Sequence, residues 1–68
     1  MTIHIALNKR TKLATVSYDV DCLPPDTDQV INLTVPDNGS ERMIREAQIA
    51  FSLGAYGYEI DYTSWEVL

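Results

Sequence analysis

The sequence predicts a two-layer α+β domain, a four-stranded mixed or antiparallel sheet with one helix packed on one face, in the order β-β-β-α-β. Three observations carry that reading. Apolar residues alternate at the period of a strand in Ile3, Ile5 and Leu7, again in Ile31, Leu33 and Val35, and again in Tyr58, Ile60 and Tyr62. Between the last two sets, "NGSERMIREAQIAFSLG" from Asn38 to Gly54 spaces its apolar residues as a helix does. Prolines stand where strands should end, at Pro24, Pro25 and Pro36.

The first strand is followed by "NKRTK", a polar turn suited to a hairpin tip. In the second, Val16, Tyr18, Val20 and Cys22 share one face and Ser17, Asp19 and Asp21 the other, up to "LPPD". The third strand is expected over Gln29 to Val35. The helix then opens on Asn38, with Glu41 three residues on as in a capping box and Ser40 as an alternative cap. It is expected to end at Leu53, with Gly54 in the left-handed conformation. Met43, Ile44, Ala47, Ala50 and Phe51 make the stripe expected to face the sheet. Ile49 and Leu53 fall off it, either at the edge of the core or as a small exposed contact. The last strand begins near Gly57, and the shift of apolar phase to Trp65 and Val67 suggests a bulge near Thr63 and Ser64.

The chain of 68 residues is one domain, residues 1–68, close to the lower limit for a core without disulfides or metal. A hydrophobic share of 46% and a charged share of 22% are globular proportions. The N-terminus has no secretory pattern, no apolar run approaches the length of a bilayer span, and Cys22 stands alone. A cytoplasmic protein with no membrane contact is therefore expected. Net charge is −5, with three basic and no acidic residues through Tyr18, then six acidic and no basic ones from Asp19 to Glu41. Such a surface disfavours direct binding of nucleic acid and favours a basic protein partner.

Catalysis needs proton-trading or nucleophilic groups held within hydrogen-bond range, and the supply is thin. His4 reads as an outer-face strand residue and Cys22 as a small buried hydrophobe. Zinc sites want four Cys or His ligands and the chain has two such residues. "DTDQ" and "PDNGSE" lack the spacing of a calcium loop. No catalytic residue, metal or cofactor is expected. The carboxylates of the second and last strands are the better candidates. Were those strands neighbours, Asp19, Asp21, Glu59 and Asp61 would make a compact negative quadrilateral, flanked by Asp26 and Asp28. Tyr56, between two glycines, should be exposed and serve as an anchor.

In size, charge, lack of catalytic apparatus and compact α+β pattern the chain resembles small acidic phage-encoded inhibitors of the anti-CRISPR and DNA-mimic type, with no shared motif. That resemblance implies a non-enzymatic, stoichiometric inhibitor, acting in the host cytoplasm, whose carboxylates occupy the basic channel of a nucleic-acid-binding partner. The basic first third departs from it. The alternative is a small structural or regulatory subunit that forms a homodimer through a sheet edge or the Ile49 and Leu53 flank.

Overall fold

The computed structural model describes residues 1–61. Within them the chain runs β1 (Thr2–Asn8), β2 (Leu13–Ser17), a 3-10 turn (Val20–Cys22), β3 (Gln29–Thr34), α1 (Gly39–Ala55) and β4 (Glu59–Asp61). The strands form a mixed sheet in the spatial order β3-β1-β2-β4. β1 is antiparallel to β2 and β3, and β4 is parallel to β2. The expected bulge at Thr63 and Ser64, and the placement of Tyr62, Trp65 and Val67, lie outside the described residues.

Alternation decides the inner face. Ile5 lies opposite Val16 and Ile31, Leu7 opposite Ala14, and Ile3 opposite Leu33, so one face of three strands is apolar. Ile3, Ala14 and Val16 are fully buried there, joined by Val35 and by Ile49 and Leu53 of α1. The other face is not left to water. The β2–β3 connection, residues 18–28, returns across it, since Ala6, Thr15 and Ser17 on that face are buried and Ala6 and Thr15 share a cleft with Cys22 and Pro24. Both crossovers join parallel strands, and they run in opposite directions over opposite faces. They therefore share one hand, as the right-handed rule demands of each.

β1 and β2 are joined by a turn that Asn8 organises. Its Oδ1 accepts from the backbone N–H groups of Arg10 (3.0 Å) and Thr11 (3.1 Å), and its carbonyl accepts from that of Lys12 (2.8 Å). Lys12 takes the left-handed conformation that closes the loop, with φ of 61°. β2 ends at Ser17, five residues before the Cys22 to which its alternating pattern runs. Ser17 Oγ accepts from Asp19 N (3.0 Å) and the Asp19 carboxylate from Asp21 N (2.9 Å). These local bonds turn the chain out of the ladder. Val20 and Cys22, expected inside, are exposed as a result.

α1 starts as expected, with Asn38 Oδ1 accepting from Ser40 N (3.0 Å) and Glu41 N (3.3 Å). It ends two residues later than expected. Gly57, not Gly54, takes the left-handed conformation (φ 87°), and the N–H groups of Gly57 and Tyr58 return to the carbonyls of Gly54 and Leu53, both at 3.0 Å. That pair of bonds is a Schellman cap, which turns the chain directly into β4.

The side of the helix that meets the sheet is a larger correction. Arg42, Glu46, Ile49 and Leu53 recur at i, i+4, i+7 and i+11, and this is the inward face, with Ile49 and Leu53 fully in the core. Met43, Ile44 and Phe51 point outward and are 69%, 59% and 81% exposed. The reason lies in what the sheet offers. Tyr18, just past β2, donates its hydroxyl to Glu46 Oε1 at 2.6 Å, and Arg42 lies over the Tyr18 ring, 5.9 Å from its centre. A stripe of purely apolar residues would leave that hydroxyl without a partner.

Candidate protein-binding surfaces

β2 and β4 are neighbours, yet the four carboxylates expected to meet there do not form a quadrilateral. Glu59 lies opposite Leu13 and Asp61 opposite Thr15. Asp19 and Asp21 lie beyond the end of β2, so Asp19 is six positions past the residue beside Glu59, roughly 20 Å along an extended chain. Asp61 instead faces the cleft beneath the β2–β3 connection, about 350 Å³ in volume, which Asp26 and Cys22 also line. The two flanking residues have local work, Asp28 through its carboxylate and Asp26 through its main chain. Asp28 Oδ2 accepts from Lys9 N at 2.7 Å, and the Asp26 carbonyl accepts from Asn8 Nδ2 at 3.3 Å.

Charge is sorted by the ends of the sheet. Lys9, Arg10 and Lys12 share one end with Asp26, Asp28 and Glu59, by the register of β1, β2 and β3. The basic first third is thus matched by nearby acid. At the other end, where β2 and β3 finish and α1 begins, stand Asp19, Asp21, Asp37 and Glu41, with the Met1 amino group 3.4 Å from Asp37. Asp37 and Glu41 complement the N-terminal dipole of α1. The molecule is electrically lopsided along the strands, with its acid surplus at the helix start.

Tyr18, Glu46 and Arg42 form a small polar cluster under that end of α1, with Arg42 Nε 3.9 Å from Glu46 Oε1. Burial, and then the hydrogen bond to the Glu46 carboxylate and its charge, push the Tyr18 phenol well above its ordinary value of 10.0, and Arg42 offsets this only in part. Folded and unfolded chains both keep the proton below that ordinary value. The stability from this hydroxyl is therefore intact there and is lost as pH rises above it towards the folded value. Denaturant melts across the alkaline range should show that decline, and Tyr18→Phe should flatten it; an identical decline in the variant would refute the assignment.

His4 sits on the outer face of β1, where its Nδ1–H donates to Asn32 Oδ1 across the sheet at 2.6 Å. Among the described residues no group of three or more His, Cys, Asp or Glu is placed to hold a metal ion. Nor is any described helix long and apolar enough to cross a membrane.

Two apolar surfaces are open. The first is the outer face of α1, where Met43, Ile44, Ala47, Ala50, Phe51 and Gly54 fall within one stripe free of charged residues. At about 200 Å² for a fully exposed side chain of this size, Met43, Ile44 and Phe51 alone present roughly 400 Å². That lies within the roughly 300–600 Å² of the largest apolar patch on an ordinary monomer, a patch that is often functional. The second is a groove of about 530 Å³ between β3 and the end of α1, lined by Ile31, Leu33 and Leu53, with Tyr56 and Tyr58 beside it and Lys9 and Lys12 at one end. Tyr56 is 79% exposed, as expected, and Lys12 Nζ lies 5.3 Å over the Tyr58 ring. Beside the groove, β3 is a sheet edge among the described strands, and "QVINLT" has no charge or proline to guard it.

Comparisons with protein-family models, curated proteins and solved structures give no match to this chain. Sequence reasoning passed over the α1 face because it assigned those residues to the core. The signal that could have found it is the second apolar pair, Ile49 and Leu53, which with Met43, Ile44 and Phe51 gives one helix two apolar sides and a single sheet to bury them.

Proposed function

We propose that the chain is a non-enzymatic protein-binding module whose contact surface is the outer face of α1. The observation that carries this is the exposure of Phe51, Met43 and Ile44 together on one uncharged stripe, in a domain whose core is closed without them. Such anchors supply most of the binding energy of an interface, while charge governs the approach. The acidic end at Asp19 and Asp21 suits that steering role toward a basic surface, which keeps a stoichiometric inhibitor of a nucleic-acid-binding protein as the finer reading.

Affinity capture from the source cell, with a second copy of the chain counted among the partners, tests the proposal. Phe51→Asp should lose the captured protein. The carboxylate variant Asp19→Asn/Asp21→Asn/Glu59→Gln/Asp61→Asn should retain it at low salt. A partner that survives Phe51→Asp and disappears with the carboxylates would return the contact to the acidic residues. One observation favours a second reading: the unguarded edge of β3 beside the groove fits addition of an extended strand, with its alternate side chains meeting Ile31 and Leu33. A partner lost on Leu33→Lys and kept by Phe51→Asp would select it.

A further inference from the structure

We infer that the partner of the α1 face is a second copy of this chain, packed antiparallel about a twofold axis through Ala47. The inference rests on the binding role proposed for that face. Its sequence is self-complementary about Ala47. An antiparallel twofold there sets Met43 against the partner's Phe51, Ile44 against the partner's Ala50 and Ser40 against the partner's Gly54. Large side chains thereby meet at two symmetric places, with methionine sulfur against an aromatic ring, and small ones line the crossing.

Gly54 is the independent sign. It lies inside α1, where glycine is a poor helix former, and its backbone is not in the left-handed region. A Cβ added there would meet nothing within 4 Å. Nothing within the described chain calls for the missing side chain, whereas a close partner helix at that point does. Charge agrees. The stripe itself carries none, so pairing buries no charge, and the repulsion between two copies of net charge −5 acts only at longer range, where salt screens it. The antiparallel arrangement also sets the acidic helix-start end of each copy beside the partner's opposite end, where Lys9, Arg10 and Lys12 balance Asp26, Asp28 and Glu59, whereas a parallel one would stack acid on acid.

The area sets the strength. With the small residues between the anchors, each copy would bury roughly 500 Å², near 1,000 Å² for the pair, at the lower bound for a specific interface. The dimer should therefore be reversible, with a dissociation constant on the order of micromolar to hundreds of micromolar.

Sedimentation of the purified chain over about 10 µM to 1 mM should show monomer passing to dimer. Phe51→Asp and, separately, Gly54→Leu should each weaken that dimer by at least about tenfold. At an interaxial distance of 8–10 Å, Ala47 and its twin would have Cα atoms roughly 3.4–5.4 Å apart, and the wider part of that range is within disulfide reach. Ala47→Cys in a Cys22→Ser background should accordingly cross-link under mild oxidation, and Ser52→Cys, off the stripe, should not. A monomer at every concentration would overturn the inference, yet leave the binding role standing if a different protein is still captured through Phe51. A dimer that survives Phe51→Asp and shows no Ala47→Cys cross-link would place self-association elsewhere, the β3 edge being the candidate. Phe51→Ala that markedly lowers the melting temperature of dilute monomer would mean that the face is covered within a single copy, which also overturns it.

Discussion

Leu53→Ala should destabilise the domain by about 2–4 kcal/mol, whereas Phe51→Ala, two residues away and the larger truncation, should change monomer stability by less than about 0.5 kcal/mol. Leu53 is 7% exposed among core residues from two strands, so truncation leaves a cavity; Phe51 is 81% exposed and leaves none. A domain of this length has only roughly 3–10 kcal/mol of stability in all, so the first substitution should bring it to the edge of unfolding. Urea melts of the two variants at dilute concentration check the contrast. Equal losses, or a larger loss at Phe51, would mean that α1 turns its other side to the sheet.

Ile3→Ala should have a comparable effect, about 2–4 kcal/mol, at a position where truncation is usually harmless. The third residue of a chain is seldom central, but Ile3 is fully buried, opposite Leu33 and on the same face as Ile5 and Val16. It is also tied down from outside, since the Met1 amino group donates to the Val35 carbonyl (3.1 Å) and Val35 N to the Met1 carbonyl (2.8 Å). Thr2→Ala, on the exposed neighbouring residue, is the control and should be near neutral. A mild Ile3→Ala phenotype would contradict the placement of β1 between β2 and β3.

What the sequence could reveal of this fold was set by how local the deciding interactions are. Strand alternation at Ile3, Ile5 and Leu7 and at Ile31 and Leu33, and the Asn38 cap, depend on neighbours in sequence and were readable there. The buried side of α1 was not. Counting apolar residues favours Met43, Ile44, Ala47 and Phe51, but the choice falls to the Tyr18 hydroxyl and the Glu46 carboxylate, 28 residues apart in the chain. The end of β2 failed in the opposite way. Alternation through Tyr18, Val20 and Cys22 continues a strand pattern that Ser17 and Asp19 interrupt with backbone bonds of their own. The predicted acidic surface went with it, because Asp19 and Asp21 had been placed by extending that strand. Gly54 and Gly57 both suit a helix end, and only the return bonds to Leu53 and Gly54 distinguish them.

The position of β1 also orders events in time. It precedes the other described strands in the chain and is an interior strand of the sheet, yet of its two neighbours only β2 follows closely. That hairpin can zip within microseconds. β3 must wait for the connection over the outer face, and β4 cannot dock beside β2 until α1 has crossed above the sheet. Sequence-distant pairing of this kind slows folding relative to a helical bundle of equal length. On a ribosome, the hairpin of residues 2–17 would emerge with its apolar face open and stay so until α1 has followed it out of the exit tunnel. The hazard in this small protein's life therefore falls during its birth, when Ile3, Ile5 and Val16 have no helix above them.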